Sequence, residues 1–113
     1  MPDNLMFEGL SVAPNVIETI VGIASEQTEG VAYVGSAPAV GAASLLKARS
    51  TGVEVGVEDG SVAVAVHLAA YHGVKLRDLG AAVQRSVADA LAAQLGVEHV
   101  CVDVFVDALE FAA

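Results

Sequence analysis

Gly52-Val53-Glu54-Val55-Gly56-Val57 and Ser61-Val62-Ala63-Val64-Ala65-Val66-His67-Leu68, joined through Glu58-Asp59-Gly60, decide the fold. Both runs alternate apolar and other residues with the period of two that a half-buried strand requires. The acidic residues and glycine between them form a hairpin turn. From Lys75 to Leu95 the spacing becomes helical, with Leu76, Leu79, Val83, Val87 and Leu91 on one side and Asp78, Arg85 and Asp89 opposite. His99 to Asp107 returns to the strand period. The short connections around the helix make its flanking strands parallel, with a right-handed crossover if they share a sheet.

Working toward the N-terminus, Gly35 to Thr51 is rich in Gly, Ala and Ser and reads as a mobile loop, long enough to be functional or disordered. Val31 to Val34 reads as a short strand. Pro14 opens a helix that runs to about Thr28, with Val16, Ile17, Ile20, Val21, Ile23 and Ala24 on a broad apolar face and Gly30 as its left-handed stop. Leu10-Ser11-Val12 is a candidate short strand, and residues 1–8 read as a loose lead-in.

Strand parity sorts the later residues onto two faces. Val53, Val55, Val57, Val62, Val64, Val66, Leu68, Val100, Val102, Val104 and Val106 share one, which must meet the helices. Glu54, Gly56, Ala63, Ala65, His67, Ala69, Tyr71, Cys101, Asp103, Phe105 and Asp107 share the other. The second face lacks the Lys and Thr of an ordinary solvated surface. Its alanines and aromatics imply a cover, either the segment from Gly35 or another molecule. Ala63, Ala65, His67, Ala69, Tyr71 and Phe105 are therefore the candidate interaction residues.

With 113 residues, 55% of them hydrophobic, the chain is a single domain, 1–113, with ample material for a core. Fourteen acidic against five basic residues give a formal net charge of −9, which repels phosphate backbones and anionic lipid and argues against nucleic-acid partners and a polybasic membrane anchor. The longest charge-free stretch, Gly30 to Leu46, is too short and too broken by Gly and Pro to span a membrane, so no direct insertion is expected. Without a signal-peptide pattern, and with Cys101 as the single cysteine, the expected compartment is the reducing cytoplasm.

The search for chemistry yields little. Gly35 to Gly41 is followed by Ala42-Ala43 where a phosphate loop needs Lys and Ser or Thr. His67, His99, Cys101 and Asp103 share a face and are plausible zinc ligands. In parallel strands, however, His99 enters at the start while His67 is mid-strand, about 15 Å apart at strand rise. The bland reading is a half-buried histidine and a buried thiol. No serine sits in a nucleophile elbow, and Asp103 and Asp107 are too far apart to share a proton. The residues give no catalytic set, no metal site and no cofactor.

A succession of soft motifs carries a family resemblance. Glu29-Gly30-Val31 follows the first helix. Tyr71-His72-Gly73-Val74-Lys75-Leu76 ends the long strand, and Ala82-Val83-Gln84-Arg85-Ser86-Val87 lies on the second helix. Leu95-Gly96-Val97 and Val100-Cys101-Val102-Asp103-Val104-Phe105-Val106 complete the series. In this order, from Gly9 to about Ala108, the chain resembles the alkaline shock protein, or Gls-type envelope stress response, family of Gram-positive bacteria. The resemblance implies a non-catalytic protein of cell-envelope homeostasis, cytoplasmic and self-associating, held near the membrane through a membrane-anchored protein partner. The family supplies no catalytic residues to carry over. The chain departs from it in lacking long charged tails and in its alanine-rich strands.

The resulting expectation is an α+β fold: a two-layer sandwich with a small mixed β-sheet and two helices packed on one face, in α-β-β-β-α-β order. The favoured function is a self-associating scaffold or interaction module of the envelope stress response, not an enzyme. The alternative is a small-ligand- or metal-binding regulatory module using the alanine-lined face around His67.

Overall fold

The structure, a computed structural model, describes residues 5–7, 9–35, 52–58 and 61–111. In chain order the elements are β1 (Leu5–Phe7), β2 (Leu10–Val12), α1 (Pro14–Glu26), β3 (Val31–Val34), β4 (Val53–Glu58), β5 (Ser61–Tyr71), α2 (Leu76–Leu95) and β6 (Val100–Glu110). The expected two-layer α+β sandwich is what forms. One correction falls at the start. Residues 5–7, read as lead-in, pair antiparallel with β2 as Leu5↔Val12, Met6↔Ser11 and Phe7↔Leu10. Gly9, at φ +89°, supplies the left-handed position that so tight a hairpin needs. Three residues a side were too few for the alternation to be seen.

The main sheet is built around β5. Along one edge β5 pairs antiparallel with β4, from Glu58↔Ser61 to Val53↔Val66, and then with β3, from Val34↔Leu68 to Val31↔Ala70. Along the other edge β6 runs parallel, from Val62↔Val100 to Tyr71↔Glu110, as the strand–helix–strand connection requires. The sheet is therefore mixed.

Strands β3 and β4 run in the same direction, end to end, against one side of β5. The junction lies opposite His67, whose C=O accepts from the Gly35 N–H (2.8 Å) and whose N–H donates to the Gly52 C=O (2.7 Å). A continuous strand would place one residue there to do both. Here the two roles are divided between Gly35 and Gly52. Gly52 has φ +72°, and a Cβ on it would lie 2.4 Å from the Gly35 Cα and 2.8 Å from the His67 carbonyl oxygen. Only glycine fits. The expected loop at 35–51 lies, beyond Gly35, outside the described residues.

Both helices pack on the valine face. α1 lies over β3, β4 and β5, while α2 lies over β6 and against α1. Ile17, Val21, Val62, Val66, Leu68, Val83, Val87 and Leu91 are at or near complete burial and form the centre of the core. Ser25 is also fully buried, its hydroxyl without a partner among the described residues. Nearby, the Thr28 hydroxyl donates to the Ser86 Oγ (3.3 Å), tying the end of α1 to α2. α1 ends at Glu26 with Gln27 as its right-handed cap, earlier than Gly30 had suggested. Turn bonds from Thr28 N–H to Ser25 C=O and from Val31 N–H to Thr28 C=O carry the chain onward, and Gly30 (φ +99°) serves the entry to β3 instead. α2 ends as expected at Gly96, φ +71°.

Candidate functional site

The outer face of the sheet, away from the helices, is the candidate site. β5 contributes Ala63, Ala65, His67, Ala69 and Tyr71, and β6 contributes Cys101, Asp103, Phe105 and Asp107, because the register keeps odd-numbered residues of both strands on one side. The parity holds as far as Leu68↔Val106. Then Asp107 is passed over and Ala69 pairs with Ala108. Asp107 is thus the extra residue of a β-bulge, a local re-aiming of the chain that alternation cannot reveal.

His67 is the hub of this face. Its partner across the parallel ladder is Phe105, and the two rings stack with centroids 4.6 Å apart and an interplanar angle of 10°. Its Nδ1 lies 2.9 Å from Asp107 Oδ2 and its Nε2 lies 3.5 Å from Glu54 Oε2. The imidazole thereby joins β4, β5 and β6. A neutral ring donates from Nδ1 to Asp107; a protonated ring forms ion pairs on both sides. The three side chains satisfy one another, as a strut between strands does, and do not converge on an open position where a substrate would sit.

The other end of the face is organised by Tyr33, which sequence reasoning missed. Tyr33 pairs with Ala69, and its hydroxyl is hydrogen-bonded to Glu110 on the far strand. To reach Glu110 the phenol must cross β5, where Ala69 offers no bulk to block it. Partial burial, then the Glu110 charge, then the hydrogen bond to that carboxylate hold the Tyr33 hydroxyl above its ordinary pKa. A bulge between Val31 and Tyr33 sets this position. The parity of a four-residue strand could not have given it.

The six candidate interaction residues therefore divide. Ala63, Tyr71 (39% exposed) and Phe105 (45%) are open, Ala65 and His67 are half-buried, and Ala69 is only 1% exposed and closed to any partner. Between Glu54 and Gly56 on one side and Asp103 on the other lies a shallow trough of about 300 Å³, floored by Ala63 and Ala65. Glu54, Asp103, Asp107 and Glu110 make the face acidic. The described lysine and arginines, Lys75, Arg77 and Arg85, belong to α2 and its approach in the opposite layer.

The candidate ligands His67, His99, Cys101 and Asp103 are not brought together. Val100 is opposite Val62 while His67 is opposite Phe105, so His99 precedes the start of the ladder and His67 lies at its middle. Among the described residues no group of three or more His, Cys, Asp or Glu is placed to hold a metal ion. Cys101, read as a buried thiol, is exposed, because nothing described lies over the outer face at that strand's start. No helix among the described residues is long and apolar enough to cross a membrane.

The sequence model of a family described as having a cell envelope-related function, the one that covers the alkaline shock proteins, matches residues 4–111. No curated protein and no solved structure matches the chain.

Proposed function

The chain belongs to the alkaline shock protein family, whose function is cell envelope-related; from that premise we propose that it acts without catalysis, as a self-associating scaffold or interaction module of the envelope stress response. In this reading it works in the cytoplasm and is brought to the membrane by an anchored protein partner. The observation that carries the proposal is the outer face. It presents Ala63, Gly56, Tyr71 and Phe105 to the outside, while His67 is engaged with Asp107 and Glu54. A surface of this kind contributes binding through area and shape.

Self-association through this face is tested with Ala65→Glu. Light scattering across a concentration series should show species larger than a monomer for the natural chain and a shift toward monomer for the variant. The added carboxylate would be buried in the contact beside Glu54 and Asp103. Circular dichroism separates lost assembly from lost folding. A natural chain that stays monomeric at the highest concentration defeats the scaffold reading.

A further inference from the structure

The outer edge of β6 is the second unpartnered surface. β6 is bonded to β5 on one side, and among the described residues no strand pairs with its other side. The Val62 N–H donates to the His99 C=O (3.0 Å), so the odd-numbered residues that follow turn their backbone groups toward β5. Val100, Val102, Val104 and Val106 consequently direct N–H and C=O outward. One bond confirms this alternation: the Gln84 side chain on α2 reaches over the edge and donates from Nε2 to the Val102 C=O at 2.9 Å. At the other end the bulge at Asp107 breaks the ladder. Between these two limits a short window, from the Val102 N–H through Val106, is left with the spacing of a strand and no strand beside it.

The side chains flanking this window state what it would take. On the outer face, Asp103 and Asp107 lie either side of the exposed Phe105. On the helix side are half-buried Val104 and Val106, followed by Leu109 at 49% exposure. We propose that this edge is a docking site for an extended segment of a partner protein that alternates basic and apolar residues. Its backbone would extend the sheet beyond β6, its basic side chains would face Asp103 and Asp107, and its apolar ones would lie along Val104 and Val106. A second copy of the chain fits this edge poorly. Antiparallel pairing of β6 with its twin sets aspartates of one copy opposite or diagonal to those of the other, and like charges so placed are destabilising. The Gln84 bond and the bulge confine docking to a short strand and guard the edge against open-ended pairing.

The backbone edge of β6 is separate from the alanine-lined face, although Asp103, Phe105 and Asp107 border both, and the two are tested separately: light scattering reads one and peptide binding the other. The probe is a capped peptide with the core Lys-Val-Leu-Val-Lys, titrated into ¹⁵N-labelled protein. Saturable shifts and slowed amide exchange are expected at Val104 and Val106. Methylating the peptide amides that face β6 should weaken binding by at least about tenfold, since it removes hydrogen bonds and blocks approach. Methylating the alternate amides should leave binding intact. Asp103→Asn, at an exposed position with the fold checked by circular dichroism, should weaken binding roughly two- to fivefold, the range of an exposed ion pair. Equal binding by both methylated peptides, or by a scrambled peptide of the same composition, would reduce the effect to charge attraction and overturn the proposal. So would protection of the Val104 and Val106 amides that grows with protein concentration in the absence of peptide, since the occupant would then be a second copy.

Discussion

At the scale of single residues, the outer face is held by side chains that reach across strands. His67 links β4 to β6 in the middle, and Tyr33 links β3 to β6 at the end. Tyr33 crosses β5 over Ala69, and His67 stands on β5 between Ala65 and Ala69. The Tyr33 contact has a pH signature. Its pKa is raised in the folded chain, so the contribution is complete below the ordinary tyrosine value of about 10 and is lost as pH climbs through the higher folded value. Tyr33→Phe keeps the ring and removes the titration. Between pH 8 and pH 11 the melting temperature of the natural chain should therefore fall further than that of the variant. Parallel falls would show that the hydroxyl's surroundings do not matter to folding.

At the scale of elements, the glycines at the joint between β3 and β4 carry the strictest requirement. Gly52→Ala would set a methyl carbon against backbone that has no alternative rotamer, at a φ that alanine avoids. A loss of at least about 3 kcal/mol in urea denaturation is expected. Gly73 is the comparison: its φ is +95° but a Cβ would meet nothing within 4 Å. Gly73→Ala should cost only about 1 kcal/mol, from the backbone alone. Similar losses at both sites would show that φ dominates and the close approach yields. The elements themselves were legible in the sequence because alternation and helical spacing are repeated over many residues in β4, β5, α2 and β6. The outer-face list was legible for the same reason as far as Phe105 and Asp107. What could not be read is what a single inserted residue does. The bulges at Asp107 and between Val31 and Tyr33 bring Glu110 and Tyr33 together over Ala69, turning a candidate contact residue into a covered one. Hydrophobic periodicity records neither event.

At the scale of the whole molecule, both layers carry an excess of acid among the described residues. The outer sheet has Glu54, Asp103, Asp107 and Glu110, and the helical layer sets Lys75, Arg77 and Arg85 against Glu18, Glu26, Asp78 and Asp89. With a formal net charge of −9 and no dense basic stripe among the described residues, duplex DNA and RNA should give blank gel shifts even at low salt. A salt-dependent micromolar complex with either would contradict this reading of the charge. The broad function was legible only through the resemblance, which the family match bears out at the level of a cell envelope-related role. Composition and parity gave a face to be covered, and nothing in them names its cover.

The divided position opposite His67 has a consequence for how such a chain can vary. Val34 pairs with Leu68 and Val53 with Val66, so the ladder has room for one residue between them. In the sheet's own register, Gly35 and Gly52 share that one position. Joining Gly35 directly to Val53 would let that glycine supply both the N–H and the C=O that His67 needs, fusing two half-strands into one ribbon from Val31 to Glu58. Such a shortened chain should still melt cooperatively and keep the His67–Phe105 ring contact, visible as ring-current shifts. Conversely, the frame asks of whatever joins Gly35 to Gly52 only that its two ends meet opposite His67, so the seam works as a clasp closed by one residue of the neighbouring strand.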